Sequence, residues 1–192
     1  MSLDPIPAAL LHWAPPPAKV RYARVGQAGP FELPRAILEE VWGAPWEEDG
    51  ELRFRRKTWD RTAAEGDGKL VEDALISYGP EGLRDLGTYA ADGTLSLWTP
   101  PQVVLPAEPA PDATWEAVHH RGEEESRRTV ELRRDGDHLL SVAELRRPGA
   151  VMVLRMRFAA GDGFQGYEAL IQRDGQPPIR TWTEALTVQP RR

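Results

Sequence analysis

The sequence predicts a mainly β protein: an antiparallel up-and-down meander curled into a barrel or half-barrel, with one short helix. Three observations predict it. Segments that alternate apolar and polar residues, or are rich in β-branched ones, follow one another from about residue 50 onward. Asp-Gly pairs at Asp92-Gly93, Asp135-Gly136 and Asp174-Gly175, with Pro148-Gly149, fall between such segments. Asp-Gly suits the type I′ hairpin turn, whose two central residues both need positive φ. A meander of about ten strands is also too wide for an open twisted sheet, so it is expected to curl.

Taken in order, residues 1–18 are proline-rich (Pro5, Pro7, Pro15, Pro16, Pro17) and read as an extended N-terminal arm. Residues 19–192 form a single barrel-like domain, a length sufficient for a sizeable core. Residues 19–25 alternate, with Val20 and Tyr22 on one face, and predict a strand. The helix is expected over 34–42: Pro34 suits a first turn, Ile37, Leu38, Val41 and Trp42 recur at helical spacing, and Gly43 suits its end. Trp42 and Trp46 have the bulk to cap a sheet. Strands are predicted over 52–59, 69–78, 83–90 and 94–99, then a proline-rich crossing over 100–111. Further strands follow over 114–121, 126–134, 138–147, 150–159, 164–173 and 179–188. The clearest is 150–159, where Met152, Leu154, Met156 and Phe158 share one face and Arg155 and Arg157 the other. No internal repeat marks a propeller.

Composition narrows the function classes. The apolar fraction is 41% and the charged fraction 28%, values of a globular chain. No apolar run is long enough for a membrane-spanning helix. The start reads as no secretory signal, so the expected compartment is the cytoplasm, or the periplasm if a leader has been removed. Cysteine is absent, which removes disulfides and thiolate chemistry. The net charge of −6 disfavours nucleic acid, which needs a positive field. Two basic clusters, Arg53, Arg55, Arg56 and Lys57, and Arg127, Arg128, Arg133 and Arg134, read as solvated strand faces.

Two stretches carry a family resemblance. LWTPPQVVLPAEPAPDATWEA (97–117) resembles the proline-rich crossing that ends in a tryptophan-bearing strand in bacterial lipocalin-like and half-barrel proteins. GDGFQGYEALIQRDGQPP (161–178) is similar to the glycine-led final hairpin of the same group, the LolA/LolB-like carriers and their relatives. The two cover about a fifth of the chain. The resemblance implies a curved antiparallel sheet around a hydrophobic cavity, lidded by a helix or loop. The chain departs from the carriers in lacking a lipobox cysteine and in offering one helix where they have several.

No catalytic or metal signature stands out. His119 and His120 are adjacent in a strand, so they point to opposite faces and are poorly placed to share a metal. Gly161-Asp162-Gly163 lies between strands and reads as a turn, not a phosphate loop. The run Glu47-Glu48-Asp49-Gly50 lacks calcium-loop spacing. No metal and no cofactor are expected. Seven tryptophans are the strongest remaining signal, because the ring serves as core filler and as ligand platform. The leading expectation is therefore a hydrophobic or aromatic small molecule, or a lipidic group, bound inside the curved sheet. Its lining is expected from Trp98, Trp115, Tyr167 and Trp182. Glu184, which strict alternation places beside Trp182 and Leu186, is the expected polar anchor. Two alternatives stand beside it. One is a protein-interaction module using the proline-rich arm and the Arg/Glu-rich faces, and the other a cofactor-free enzyme working in the same cavity.

Overall fold

The computed structural model describes residues 6–63 and 68–191. The first five residues of the expected arm lie outside the described residues. A short helix, α1 (Ala8–Trp13), precedes thirteen strands: β1 (Pro17–Ala28), β2 (Phe31–Trp42), β3 (Trp46–Glu48), β4 (Glu51–Asp60), β5 (Lys69–Gly79), β6 (Gly82–Tyr89), β7 (Leu95–Leu105), β8 (Thr114–Arg121), β9 (Glu124–Asp135), β10 (His138–Arg147), β11 (Ala150–Ala159), β12 (Gly163–Arg173) and β13 (Ile179–Pro190). Neighbours in sequence pair antiparallel from β3 to β13. β13 then pairs with β1, β1 with β2, and β2 with β4. The ring of twelve strands is thus closed, and the short β3 stands outside it, paired with β4 alone.

The predicted meander is present. Asp92-Gly93, Asp135-Gly136, Pro148-Gly149 and Asp174-Gly175 each join consecutive strands. The helix is elsewhere than expected. Residues 34–42 lie within β2, because a segment with Ile37 and Leu38, then Val41 and Trp42, fits two faces of a strand as well as one face of a helix. Its backbone groups are claimed from both sides, by β1 (Lys19↔Val41) and by β4 (Leu38↔Asp60), and this closes the barrel. Pro34 is accommodated because the ladder shifts between Arg24↔Ala36 and Gly26↔Leu33, leaving Pro34 and Arg35 in a bulge where no ladder N–H is needed. The proline-rich crossing is likewise shorter than expected: β7 runs through Pro100 and Pro101 to Leu105.

The N-terminal segment is not a free arm. From Ile6 onward it enters one end of the barrel, where Ile6, Leu10 and Ala14 join Leu52, Phe54, Tyr78 and Leu105 in the main apolar core. The Gly161 N–H donates to the His12 carbonyl at 2.7 Å and anchors the plug to the β11–β12 turn. Outward-facing positions carry ion pairs, among them Arg127–Glu116, Arg155–Glu168 and Arg157–Asp135. That is the reverse of the apolar band a lipid-facing barrel presents. No helix among the described residues is long and apolar enough to cross a membrane.

Gly82, the first residue of β6, is required by geometry. Its φ is +116°, and a Cβ there would lie 2.1 Å from the Leu105 carbonyl oxygen. Gly82→Ala is expected to lower the unfolding free energy by at least ~2 kcal/mol, since the backbone of β7 must shift to admit the methyl group. Urea denaturation checks this, and an unchanged midpoint would contradict it.

Candidate ligand-binding cavity

The barrel interior divides into a filled half and a hollow half. On the wall built by β6–β10, large side chains occupy the interior. Trp115 packs against both the main core and a small cluster of Val130, Ala143 and Leu145. Trp98, 5% exposed, sits at the end opposite the plug. The guanidiniums of Arg121 and Arg147 lie 4.3 Å and 5.9 Å from its ring centroid, and Glu124 holds both arginines, at 2.7 Å and 2.6 Å. This stack lids the filled half at that end.

Beneath it lies a polar layer that sequence reasoning did not anticipate. Alternation in β9 turns Ser126, Arg128, Val130 and Leu132 inward, so Arg128 is buried rather than part of a solvated face. Arg128 donates to the Gln102 side-chain oxygen at 3.1 Å. Burial lowers its pKa to about 10 against the opposing pull of Asp85. Asp85 accepts from the Gly87 N–H at 3.0 Å. Its carboxyl is pushed up to about 6, first by burial and then by Glu72, with Arg56 and Arg128 opposing. His119 is buried and pairs with the Pro100 carbonyl at 2.8 Å, whereas His120 is exposed, as the alternation predicted. Burial depresses the His119 pKa, with Arg128 adding to the effect.

The hollow half is walled mainly by β1, β2, β4, β5 and β11–β13. A chamber of about 460 Å³ sits against the plug, and a wider mouth of about 630 Å³ opens at the far end. Arg24, Leu154 and Tyr167 line both, so chamber and mouth adjoin. Met156, Phe158 and Phe164 form one wall of the chamber, and Val20, Tyr22 and Leu38 another. Phe164 and Tyr167 are three residues apart yet both face inward, because the β11–β12 ladder shifts between Arg157↔Gly166 and Phe158↔Phe164. Their partners are aromatic too: Phe158 meets Phe164, and Tyr22 meets Tyr167, edge to face at 6.0 Å and 5.9 Å.

Four charged groups line this apolar wall: Arg24, Glu40, Arg56 and Glu72. Arg56 in β4 contacts Glu72 of β5 at 2.5 Å, and Thr58 also donates to Glu72, at 3.4 Å. Burial pulls the Arg56 pKa down, but Glu72, Glu40 and Asp85 outweigh it and the net shift is upward. Arg56 is therefore a second arginine that the basic cluster of the sequence does not place on the surface. Glu40 in β2 has a hydroxyl for a partner: Tyr22 donates to it at 3.4 Å, and no ion pair forms on Glu40 among the described residues. The Tyr22 pKa is raised, first by burial and next by Glu40, so its hydroxyl stays protonated.

Of the five residues expected to line a site, Tyr167 lines the cavity. Trp98 and Trp115 face the interior but fill its other half. Trp182 and Glu184 are corrections: both lie on the outer face of β13, where the Trp182 indole N–H donates to Glu184 at 3.3 Å. Arg35 meets Glu184 at 3.6 Å, with the carboxylate side chain 45% exposed. A bulge is responsible. Ala185 has φ +51°, and the β1–β13 ladder shifts between Arg21↔Thr187 and Ala23↔Glu184. Leu186 therefore turns inward against Val20, Tyr22 and Leu38 while Glu184 stays out. The acidic run at Glu48 and Asp49 is held by Arg53, at 2.6 Å and 3.0 Å.

No family model, curated protein or solved structure matches this chain. The functional reading therefore rests on the barrel itself. Its missed residues, Glu40, Arg56 and Glu72, carry a signal only once β2, β4 and β5 are known to be neighbours. Their inward register then follows from period-two alternation.

Proposed function

We propose that the protein binds one hydrophobic or aromatic small molecule, or a lipidic group, in the hollow half of its barrel. The observation that carries this reading is the chamber with its adjoining mouth. It has an apolar, aromatic wall, a size within the range of small-molecule sites, and a few charged groups set into it. An interior site is also what the resemblance to lipocalin-like and LolA-like half-barrels implies. The interaction-module alternative is less favoured. The N-terminal segment is spent on plugging the barrel, and many outer arginines and glutamates already pair with one another.

The neutral dye N-phenyl-1-naphthylamine tests the reading. It is expected to bind saturably at one site per chain with enhanced emission. Leu154→Trp, which fills the junction of chamber and mouth, is expected to weaken the dye by about tenfold or more. Trp182→Ala, on the outer face, is expected to leave affinity unchanged. Absence of saturable binding, or an unaffected Leu154→Trp variant, would refute the proposal.

A further inference from the structure

The chamber's two carboxylates are not equally partnered. Its lining carries Glu40 and Glu72 together with two guanidiniums, Arg24 and Arg56, and Arg56 is committed to Glu72 at 2.5 Å. Arg24 stands where chamber meets mouth, lining both, and forms no ion pair with Glu40 among the described residues. Deeper in the barrel Asp85 and Arg128 offset each other. Among the described residues Glu40 has one long hydrogen bond, from Tyr22. A half-buried carboxylate beside apolar and aromatic walls gains when a cation reaches it, because water solvates it poorly there.

The neighbours of Glu40 fit such a cation. Tyr22 and Tyr167 meet edge to face beside it, and Trp42 follows two residues later on the same face of β2. Electron-rich ring faces attract ammonium groups. The apolar wall of Leu154, Met156, Phe158 and Phe164 then receives the rest of the molecule. A carboxylate ligand at Glu40, by contrast, would set two negative groups side by side where Arg56 is already paired with Glu72.

We propose that the chamber selects lipophilic amines, with Glu40 as the counter-ion of the bound ammonium. This rests on the cavity reading above and adds the chemical class of its ligand. Glu40 replaces Glu184, the anchor the sequence suggested, and differs from it in facing the cavity.

The test compares decylamine, decanoic acid and decan-1-ol, all below their aggregation concentrations near neutral pH, by displacement of N-phenyl-1-naphthylamine and by calorimetry on the full chain. The amine is expected to bind at least about tenfold more tightly than the acid, with the alcohol between them. Glu40→Gln is expected to weaken the amine about tenfold while leaving the alcohol unchanged, and retained alcohol binding reports an intact chamber. Equal or tighter binding of the acid would overturn the inference and leave the cavity reading standing. So would a Glu40→Gln variant that binds the amine as before, or one that loses amine and alcohol together. If neither the dye nor any of the three probes binds the native protein, both readings fall.

Discussion

Replacing Leu10 by alanine is expected to lower the unfolding free energy by about 2–5 kcal/mol, the range for removing a fully buried leucine. Leu10 has no exposed surface and sits among Leu52, Phe54, Leu105, Leu132, Leu139 and Phe158. These come from five strands spread around the ring, so α1 is the point at which opposite walls meet. The helix has six residues and no side-chain cap at its N-terminus. A segment that short does not hold a helical form in water without packing. Its order therefore depends on Leu10, on the Gly161–His12 backbone bond and on Pro15 against Gly163. Denaturant unfolding measures the loss, and faster hydrogen exchange at the Gly161 amide would show the plug loosening before the barrel. A loss below about 1 kcal/mol would mean that the helix is not part of the core.

The barrel was legible in the sequence to the extent that its hairpins were. Asp92-Gly93, Asp135-Gly136 and Asp174-Gly175 announce turns through a local backbone requirement, and alternation in 150–159 marks an inner and an outer face. Closure was not legible. It depends on β2, whose Ile37, Leu38, Val41 and Trp42 satisfy both periodicities, and only pairing with β1 and β4 decides between them. The site was harder to read for a related reason. A one-residue bulge reverses every side chain beyond it. The bulge at Ala185 put Glu184 outside, and the one before Tyr167 put both Phe164 and Tyr167 inside. Neither bulge has a proline or an Asp-Gly pair to announce it. Tryptophan bulk also pointed to the wrong half of the interior, since Trp98 and Trp115 fill space that the chamber does not use.

Asp85→Asn is expected to make the protein more stable than the parent at neutral pH and no more stable in mild acid. Asp85 faces inward between Arg56 and Arg128, and burial raises its carboxyl from 3.8 to about 6. A raised carboxyl pKa means that the fold favours the protonated form. The stability this gives is fully present below about pH 4 and is lost as pH rises through about 6. Across that interval the parent gives up as much as ~3 kcal/mol through this one group, at about 1.4 kcal/mol per unit. Asparagine has the shape of the protonated acid and keeps an oxygen for the Gly87 N–H, so it does not incur that loss. Carboxylates shifted the other way, such as Glu39 and Asp60, weaken both proteins alike as pH falls and cancel in the comparison. Urea unfolding of parent and variant at pH values on either side of 6 reads the difference. The variant's advantage should open between mild acid and neutrality. A gap that stays constant with pH, or that closes as pH rises, would show that Asp85 remains ionised throughout, held by Arg56 and Arg128.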